Sequence, residues 1–212
     1  MRKSYAESEI PAVILSGGQS RRMNGNDKAF LSIADQNLLE MVVGRLIRQT
    51  PKVAINTSSN NSKYVQHGLP ILRDHFRGFW GPLSGILTAM IWANDMGYET
   101  VATVAVDTPL FPENLLEKLN QKIKLTNSDI VFAASVSEPK QKKVLHPVFG
   151  LWKTFLFEDL RKQLENGVRK VTLWSERHKV SSVCFSDKRI DPFFNINTPQ
   201  DIMLLKEYLR EK

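Results

Sequence analysis

The order of apolar runs along this 212-residue chain predicts an α/β domain built on a largely parallel sheet. Three observations carry that expectation. Short apolar runs alternate with amphipathic helical stretches along the chain. One run, 101–106, is apolar almost without alternation, as a central strand covered on both faces must be. The first run ends in consecutive glycines, Gly17 and Gly18, the form of a turn from strand to ligand loop. With 42% hydrophobic and 24% charged residues, the chain can bury the core of one such domain, spanning 1–212.

Residues 10–15 are the first strand. A helix follows over 37–49, with Leu39, Val42, Val43 and Leu46 on one face and Asn37 with Glu40 forming a capping box. Residues 53–55 make the second strand, ending at Asn56. The polar stretch 58–66 reads as a short helix, and Ile71 with Leu72 as a third strand ending at Asp74. Pro82 opens a helix that buries Leu83, Ile86, Leu87, Met90 and Ile91 and stops at Gly97. The central strand 101–106 ends at Asp107-Thr108-Pro109. Pro112 opens a helix with Leu115, Leu116, Leu119 and Ile123 inside. Strands are expected at 129–134, 148–152 and 180–185, with an exposed turn over 137–143. A helix through Phe155, Leu156, Leu160 and Leu164 ends at Gly167. Thr198 caps the last helix, Pro199 takes its first turn, Asp201 suits its N-terminus, and Ile202, Leu205 and Leu209 face inward. The total is six to eight strands.

The net charge of +7 favours acidic partners, meaning nucleotides, phosphorylated metabolites or nucleic acid. The basic residues form no block and no arginine-rich arm, so nucleic acid is not expected. No apolar run reaches the length of a membrane span. The start, MRKSYAESEI, lacks the apolar core of a secretory signal. A soluble, cytoplasmic protein is expected. The single cysteine, Cys184, can form no internal disulfide and reads as a buried thiol on a strand. None of the four histidines, His67, His75, His146 and His178, pairs at a metal-ligand spacing. His146, in HPVFGLW just before a strand, reads as structural. Nothing suggests a covalent nucleophile.

The stretch 15–31, LSGGQSRRMNGNDKAFL, concentrates the chemistry. Consecutive glycines permit positive φ and close backbone approach, and successive N–H groups form an anion-binding nest. Arg21, Arg22 and Lys28 add positive charge. The reading is a phosphate loop; the alternative is an ordinary turn with a basic edge. The spacing fits neither a Walker A loop nor a dinucleotide fingerprint. The glycine loop, Asn56, Asp74 and Asp107 each follow a strand. In a parallel sheet all four lie at the carboxyl edge, where open α/β folds bind ligands. Asn56 could equally end a strand and Asp74 cap a turn. Asp107 directly follows the apolar central run and needs a partner. Mg²⁺ held by one or two carboxylates and phosphate oxygens would supply it.

The 15–31 stretch resembles the signature loop L-A-G-G-x-S-x-R-M-G-x-D-K of a nucleotidyltransferase superfamily. GPLSGI, VDTP, HPVFGLW and FFNINTP then match, in order, the pattern of molybdenum cofactor guanylyltransferases. The likeness runs from about Ala12 to the last helix. It implies a Rossmann-like three-layer sandwich of nucleotidyltransferase type. It implies transfer of GMP from GTP to the phosphate of molybdenum-bound molybdopterin, with Mg²⁺ as cofactor and release of pyrophosphate. By resemblance, Leu15, Ser16 and Gly17 contact the nucleotide, with Gly18 in the same loop. Lys28, Asn56 and Asp74 match GTP-binding positions, and Asp107 the position that binds GTP through Mg²⁺. Asn195 and Asn197 match the molybdopterin side, and Arg22 stands near the phosphates. Arg22, Lys28 and Asp107 are thus the expected catalytic residues. Residues from about 10 to 110 bind nucleotide and those from about 128 to 205 bind the acceptor. Molybdoenzymes or other cofactor-assembly proteins are further partners. Arg169 and Lys170 either serve the second substrate or form a solvated helix end. Three positions depart from the pattern: Ser16 for alanine, Asn24 for glycine and Val106 for cysteine. Asn24 matters most, since asparagine adopts left-handed geometry less freely than glycine. The rival readings are a cytidylyl- or sugar-phosphate nucleotidyltransferase and a non-catalytic nucleotide-binding module.

Overall fold

The computed structural model of the chain describes residues 9–17, 27–76, 78, 80–137, 142–187 and 189–211. All four residues of β1 (Ala12–Leu15) are buried, which is why its sequence shows no polar alternation. A small antiparallel hairpin, β2 (Ser32–Ile33) with β3 (Gln36–Asn37), leads into α1 (Leu38–Ile47). There the Asn37 side chain accepts from the Glu40 N–H, and the Glu40 carboxylate accepts from the Asn37 N–H. Next come β4 (Val53–Asn56), a 3₁₀ turn (Ser62–His67), β5 (Ile71–Leu72) and α2 (Pro82–Asp95). The central β6 (Thr100–Ala105) precedes α3 (Leu115–Thr126), β7 (Ile130–Ser137) and β8 (Lys142–Lys153). The chain closes with α4 (Phe157–Glu165), α5 (Val171–Ser175), β9 (Val180–Phe185) and α6 (Pro199–Arg210).

Seven strands make one sheet in the order β5-β4-β1-β6-β8-β7-β9. β1 runs parallel to β4 and β6, β4 to β5, and β7 to β9; β8 is antiparallel to both neighbours. Alternate strand residues feed two cores. Ile14, Ile55 and Val104 face α1 and α3 on one side. Val13, Ala54 and Val101 face α2 and α4 on the other. A third cluster packs Ile33, Ile196 and Leu205, joining α6 to the hairpin. The result is a helix–sheet–helix sandwich.

Strand β8 is the main departure from expectation. It begins at Lys142, so His146 lies inside it, and Lys142 and Lys143 are paired rather than in a turn. Its register against β7 jumps between Phe132↔Gly150 and Ala133↔His146, leaving residues 147–149 as a bulge. Pro147 has no N–H to offer a ladder, so a break there is the natural outcome. Pairing of β8 with β6 ends at Thr103↔Gly150, and β8 then peels away. The buried Thr103 hydroxyl donates to the Val148 carbonyl at 2.6 Å and accepts from the Trp152 indole at 2.9 Å. It thereby satisfies a carbonyl that the ladder abandons.

Other corrections are smaller. Cys184 is exposed, because β9 is an edge strand on which only Phe185 is buried. Phe155 is 62% exposed, on a 3₁₀ turn that separates β8 from α4, while Leu156, Leu160 and Leu164 are buried as expected. The helix after Pro112 begins at Leu115. The β2–β3 hairpin and the five-residue α5 are too short to leave an apolar period in the sequence. Among the described residues no helix is long and apolar enough to cross a membrane.

Gly150 tests the packing at the foot of the bulge. A Cβ there would lie 2.9 Å from Trp152 Cζ2 and 3.3 Å from Phe132 Cδ1, and both rings are buried. Gly150→Ala is expected to destabilise the fold by about 1–3 kcal/mol through overpacking. The shift of the urea midpoint at constant m measures it.

Candidate active site

A cleft of about 820 Å³ opens at the carboxyl edge of β1, β4, β5 and β6 and extends to the β8 bulge. Leu15, Ser16, Gly17, Lys28, Asn56, Asp74, Asp107, Asn195 and Asn197 all line it. Gly18 and Arg22 lie outside the described residues, as do Arg21, Asn24 and Gly25. Gly17 does not use positive φ, contrary to the expectation for the loop's glycines. Among the described residues nothing stands within 4 Å of where its Cβ would be, so its contribution there is open space beside the backbone. Among the described residues lining the cleft, the left-handed glycines are Gly78 (φ 100°) and Gly81 (φ 72°), which shape the approach to α2. The N-terminus of that helix faces the cleft through Gly81, Pro82 and Gly85.

Lys28 sits at the centre. Its Nζ lies 2.9 Å from Asp107 Oδ2, 2.8 Å from Asn197 Oδ1 and 3.4 Å from Asn195 Oδ1. The ion pair is partly shielded, with 17% and 25% of the two side chains exposed. The asparagines arrive by simple alternation. Ile196 between them is buried, and its N–H donates to the Asp107 carbonyl at 2.8 Å. Asp201 holds the same loop, accepting from the N–H groups of Asn197 and Thr198 at 2.8 and 2.7 Å. The Asn197 bond chiefly holds its carboxyl below the usual range.

On the other side, Asn56 is buried and donates from Nδ2 to Asp74 Oδ1 at 2.8 Å and to the Leu72 carbonyl at 3.3 Å. Gly85 makes room for it: a Cβ there would lie 2.6 Å from Asn56 Oδ1. The Asp74 carboxylate is thus aimed by a buried amide.

Sequence reasoning missed Tyr64. Its phenol donates to Asp27 Oδ1 at 3.0 Å and accepts from the Ser16 hydroxyl at 2.7 Å. Ser16 precedes the glycine loop and Asp27 follows it, so one buried side chain pins both ends. Burial pushes the phenol up to about 12. The one clue was an aromatic residue in an otherwise polar stretch. Trp80 and His146 also line the cleft and were not assigned to it. Arg169 backs the cleft wall without lining it: it donates to the Leu164 and Val168 carbonyls and lies 4.0 Å over the Trp80 ring. Lys170 is the N-cap residue of α5.

Among the described residues no three histidine, cysteine or acidic side chains gather as a protein-only metal cage. Asp107, one of three carboxylates lining the cleft with Asp27 and Asp74, is partly exposed, and it suits a hard cation that shares its other ligands with phosphates. The donor set therefore fits a hard divalent cation that arrives with a phosphate ligand.

A family model described as MobA-like NTP transferase domain matches residues 12–180. The molybdenum cofactor guanylyltransferase of Rhizobium leguminosarum bv. trifolii is 38% identical over 213 residues, covering 97% of this chain and 96% of that protein. The molybdenum cofactor guanylyltransferase of a Bradyrhizobium species is 35% identical over 202 residues, covering 94% and 92%. The crystal structure of molybdopterin-guanine dinucleotide biosynthesis protein A from Archaeoglobus fulgidus superposes with a TM-score of 0.74 at 19% identity, covering 96% and 100%. The 2-C-methyl-D-erythritol 4-phosphate cytidylyltransferase of Thermus thermophilus superposes with 0.73 at 15%, covering 95% and 99%. At these identities the two structures show a shared fold.

Tyr64 gives a pH test. The folded phenol holds its proton to about 12, whereas the unfolded one loses it near 10.0. Between those values the folded state binds more protons, so this residue's contribution to stability falls as pH rises. The stability difference between wild type and Tyr64→Phe is expected to shrink from pH 10 to pH 12. Denaturant titrations across that window measure it, and a constant difference would show that the phenol is not held protonated.

Proposed function

The chain belongs to the MobA-like NTP transferase family, and from that premise we propose that it transfers GMP from GTP to the phosphate of molybdenum-bound molybdopterin. Pyrophosphate leaves, and the work is done in the cytoplasm. The observation that carries the proposal is the convergence of Asp107, Asn195 and Asn197 on Lys28 in one cleft. In this reading residues from about 10 to 110 grip the nucleotide and those from about 128 to 205 present the acceptor. Molybdoenzymes or cofactor-assembly proteins receive the product.

The chemistry is an in-line displacement at the α-phosphorus, in which an acceptor phosphate oxygen forms the new P–O bond as pyrophosphate departs. Such a transfer needs alignment and charge neutralisation, not a protein nucleophile. Lys28 supplies a fixed positive charge where two anions must approach. Asn195 and Asn197 keep its ammonium on the axis between the halves. Gly17 leaves the backbone open to the phosphates, and Arg22, in the same loop, adds charge to them. Asp107 would hold Mg²⁺, which when bound neutralises the phosphate oxygens whose charge shifts during transfer. Asp74 accepts hydrogen bonds only, which suits the adjacent N–H donors of guanine better than the acceptor-rich edge of cytosine. That observation favours GTP over the cytidylyl reading, and the paired Lys28 and Asp107 favour catalysis over a binding module.

Pyrophosphate release from GTP that depends on molybdopterin tests the reaction directly. Release without the acceptor, or with CTP in place of GTP, would overturn it. A greater thermal shift with GTP and Mg²⁺ than with CTP or UTP is expected. Asp107→Ala is expected to cut turnover about 10²-fold or more, since an electrostatic group at the reacting phosphates is lost. Lys28→Ala is expected to raise the KM for GTP while the melting curve shows a folded protein. Unchanged GTP kinetics would remove Lys28 from the site.

A further inference from the structure

The acceptor side of the cleft carries a histidine that the reaction above leaves unused. His146 lines the cleft beside Phe193. Its ring stacks on the Phe193 ring at 4.3 Å and 21°, and Phe193 is itself buried. Packing therefore fixes the plane of the imidazole.

Hydrogen bonding fixes its protons. His146 Nε2 lies 2.8 Å from the hydroxyl of Ser135, which is buried in β7. That hydroxyl donates to Asp191 Oδ2 at 3.1 Å, because a carboxylate only accepts. Asp191 is held in turn, its Oδ1 accepting from the Phe193 N–H at 2.8 Å. Ser135 has one proton and gives it to Asp191, so Nε2 must donate to Ser135. Burial lowers the affinity of the ring for a second proton, against a smaller opposing effect from Asp191. The neutral ring then carries a bare lone pair on Nδ1. Among the described residues that nitrogen has no hydrogen-bond partner, and it is not among their buried unpartnered atoms.

Building on the reaction proposed above, we propose that His146 Nδ1 is a binding group of the acceptor subsite, accepting a hydrogen bond from an N–H of the acceptor's heterocycle. A phosphate cannot fill this place. At neutral pH it offers acceptor oxygens and negative charge, both of which a lone pair repels. The phosphate belongs with Lys28, and the ring end of the same molecule belongs with His146. The β8 bulge separates the two stations, and Asp191 ties the histidine to the loop that carries Asn195 and Asn197. Ser135 and Asp191 are positioning residues, acting by selecting the tautomer.

The test uses the full chain and two readouts. Long-range proton–nitrogen spectra of histidine-labelled wild type are expected to show His146 protonated on Nε2, and Ser135→Ala to release it toward a mixture. A Nδ1–H tautomer in wild type overturns the proposal whatever the kinetics give. In steady-state kinetics, His146→Gln keeps a donor where Nε2 stands but removes the acceptor at Nδ1. It is expected to raise the KM for molybdopterin about five- to tenfold, the worth of one neutral hydrogen bond, with the KM for GTP unchanged. His146→Asn, whose amide oxygen stands where Nδ1 stands, is expected to recover part of that loss. An unchanged molybdopterin KM in His146→Gln, or an equal rise for both substrates, overturns the proposal. Wild type that binds GTP but never transfers GMP to molybdopterin overturns the reaction and this role together. A competent wild type with an unaffected His146→Gln overturns only the role.

Discussion

A lysine ammonium has three protons to give, and Lys28 faces three acceptors with them: one carboxylate and two amide oxygens. Those acceptors come from the end of β6 and from the loop that follows β9, separated by most of the second half of the chain. Without the lysine, Asp107 would face two carbonyl oxygens across the cleft, an arrangement that repels itself. Much of the surrounding structure serves to deliver this contact. Asp27 begins the 3₁₀ turn that carries Lys28, accepting from the Ala29 N–H. The Ile196 N–H binds the Asp107 carbonyl, so backbone and side chain of the two segments are fastened at one point. Thr198 and Asp201 cap α6 and fix the loop's far end.

The surplus of positive charge reads differently in this light. Few of its members reach the cleft among the described residues, and Lys28 does so already paired. Bulk charge steers anions toward the protein. Inside the cleft, uncharged donors hold carboxylates still, Asn56 on Asp74 and Tyr64 on Asp27.

What the sequence made legible follows from the strength of local physics. β1, β4 and β6 are covered on both faces, so their apolar runs are unbroken and easily placed. The caps of α1 and α6 depend on residues three apart and need no tertiary knowledge. Asn56, Asp74 and Asp107 could be brought to one edge because parallel pairing makes strand ends coincide. Contacts that depend on distant partners were not legible. Tyr64 gains its role only when Ser16 and Asp27 meet on it. Cys184 sits in an apolar context, yet at a sheet edge such a context does not imply burial. His146 looked like a residue before a strand, because the break that Pro147 imposes falls inside the strand.

That break also bears on how such a protein can change over time. Before residue 150 the wall that carries His146 is not laddered to β6, the strand that leads to Asp107, and the Thr103 hydroxyl spans the gap. Substitutions along residues 142–149 can therefore reshape one wall without shifting the register of β1, β4 and β6. The fold is in this sense modular at the level of a single strand. A descendant could exchange the molecule it modifies while inheriting the nucleotide grip intact.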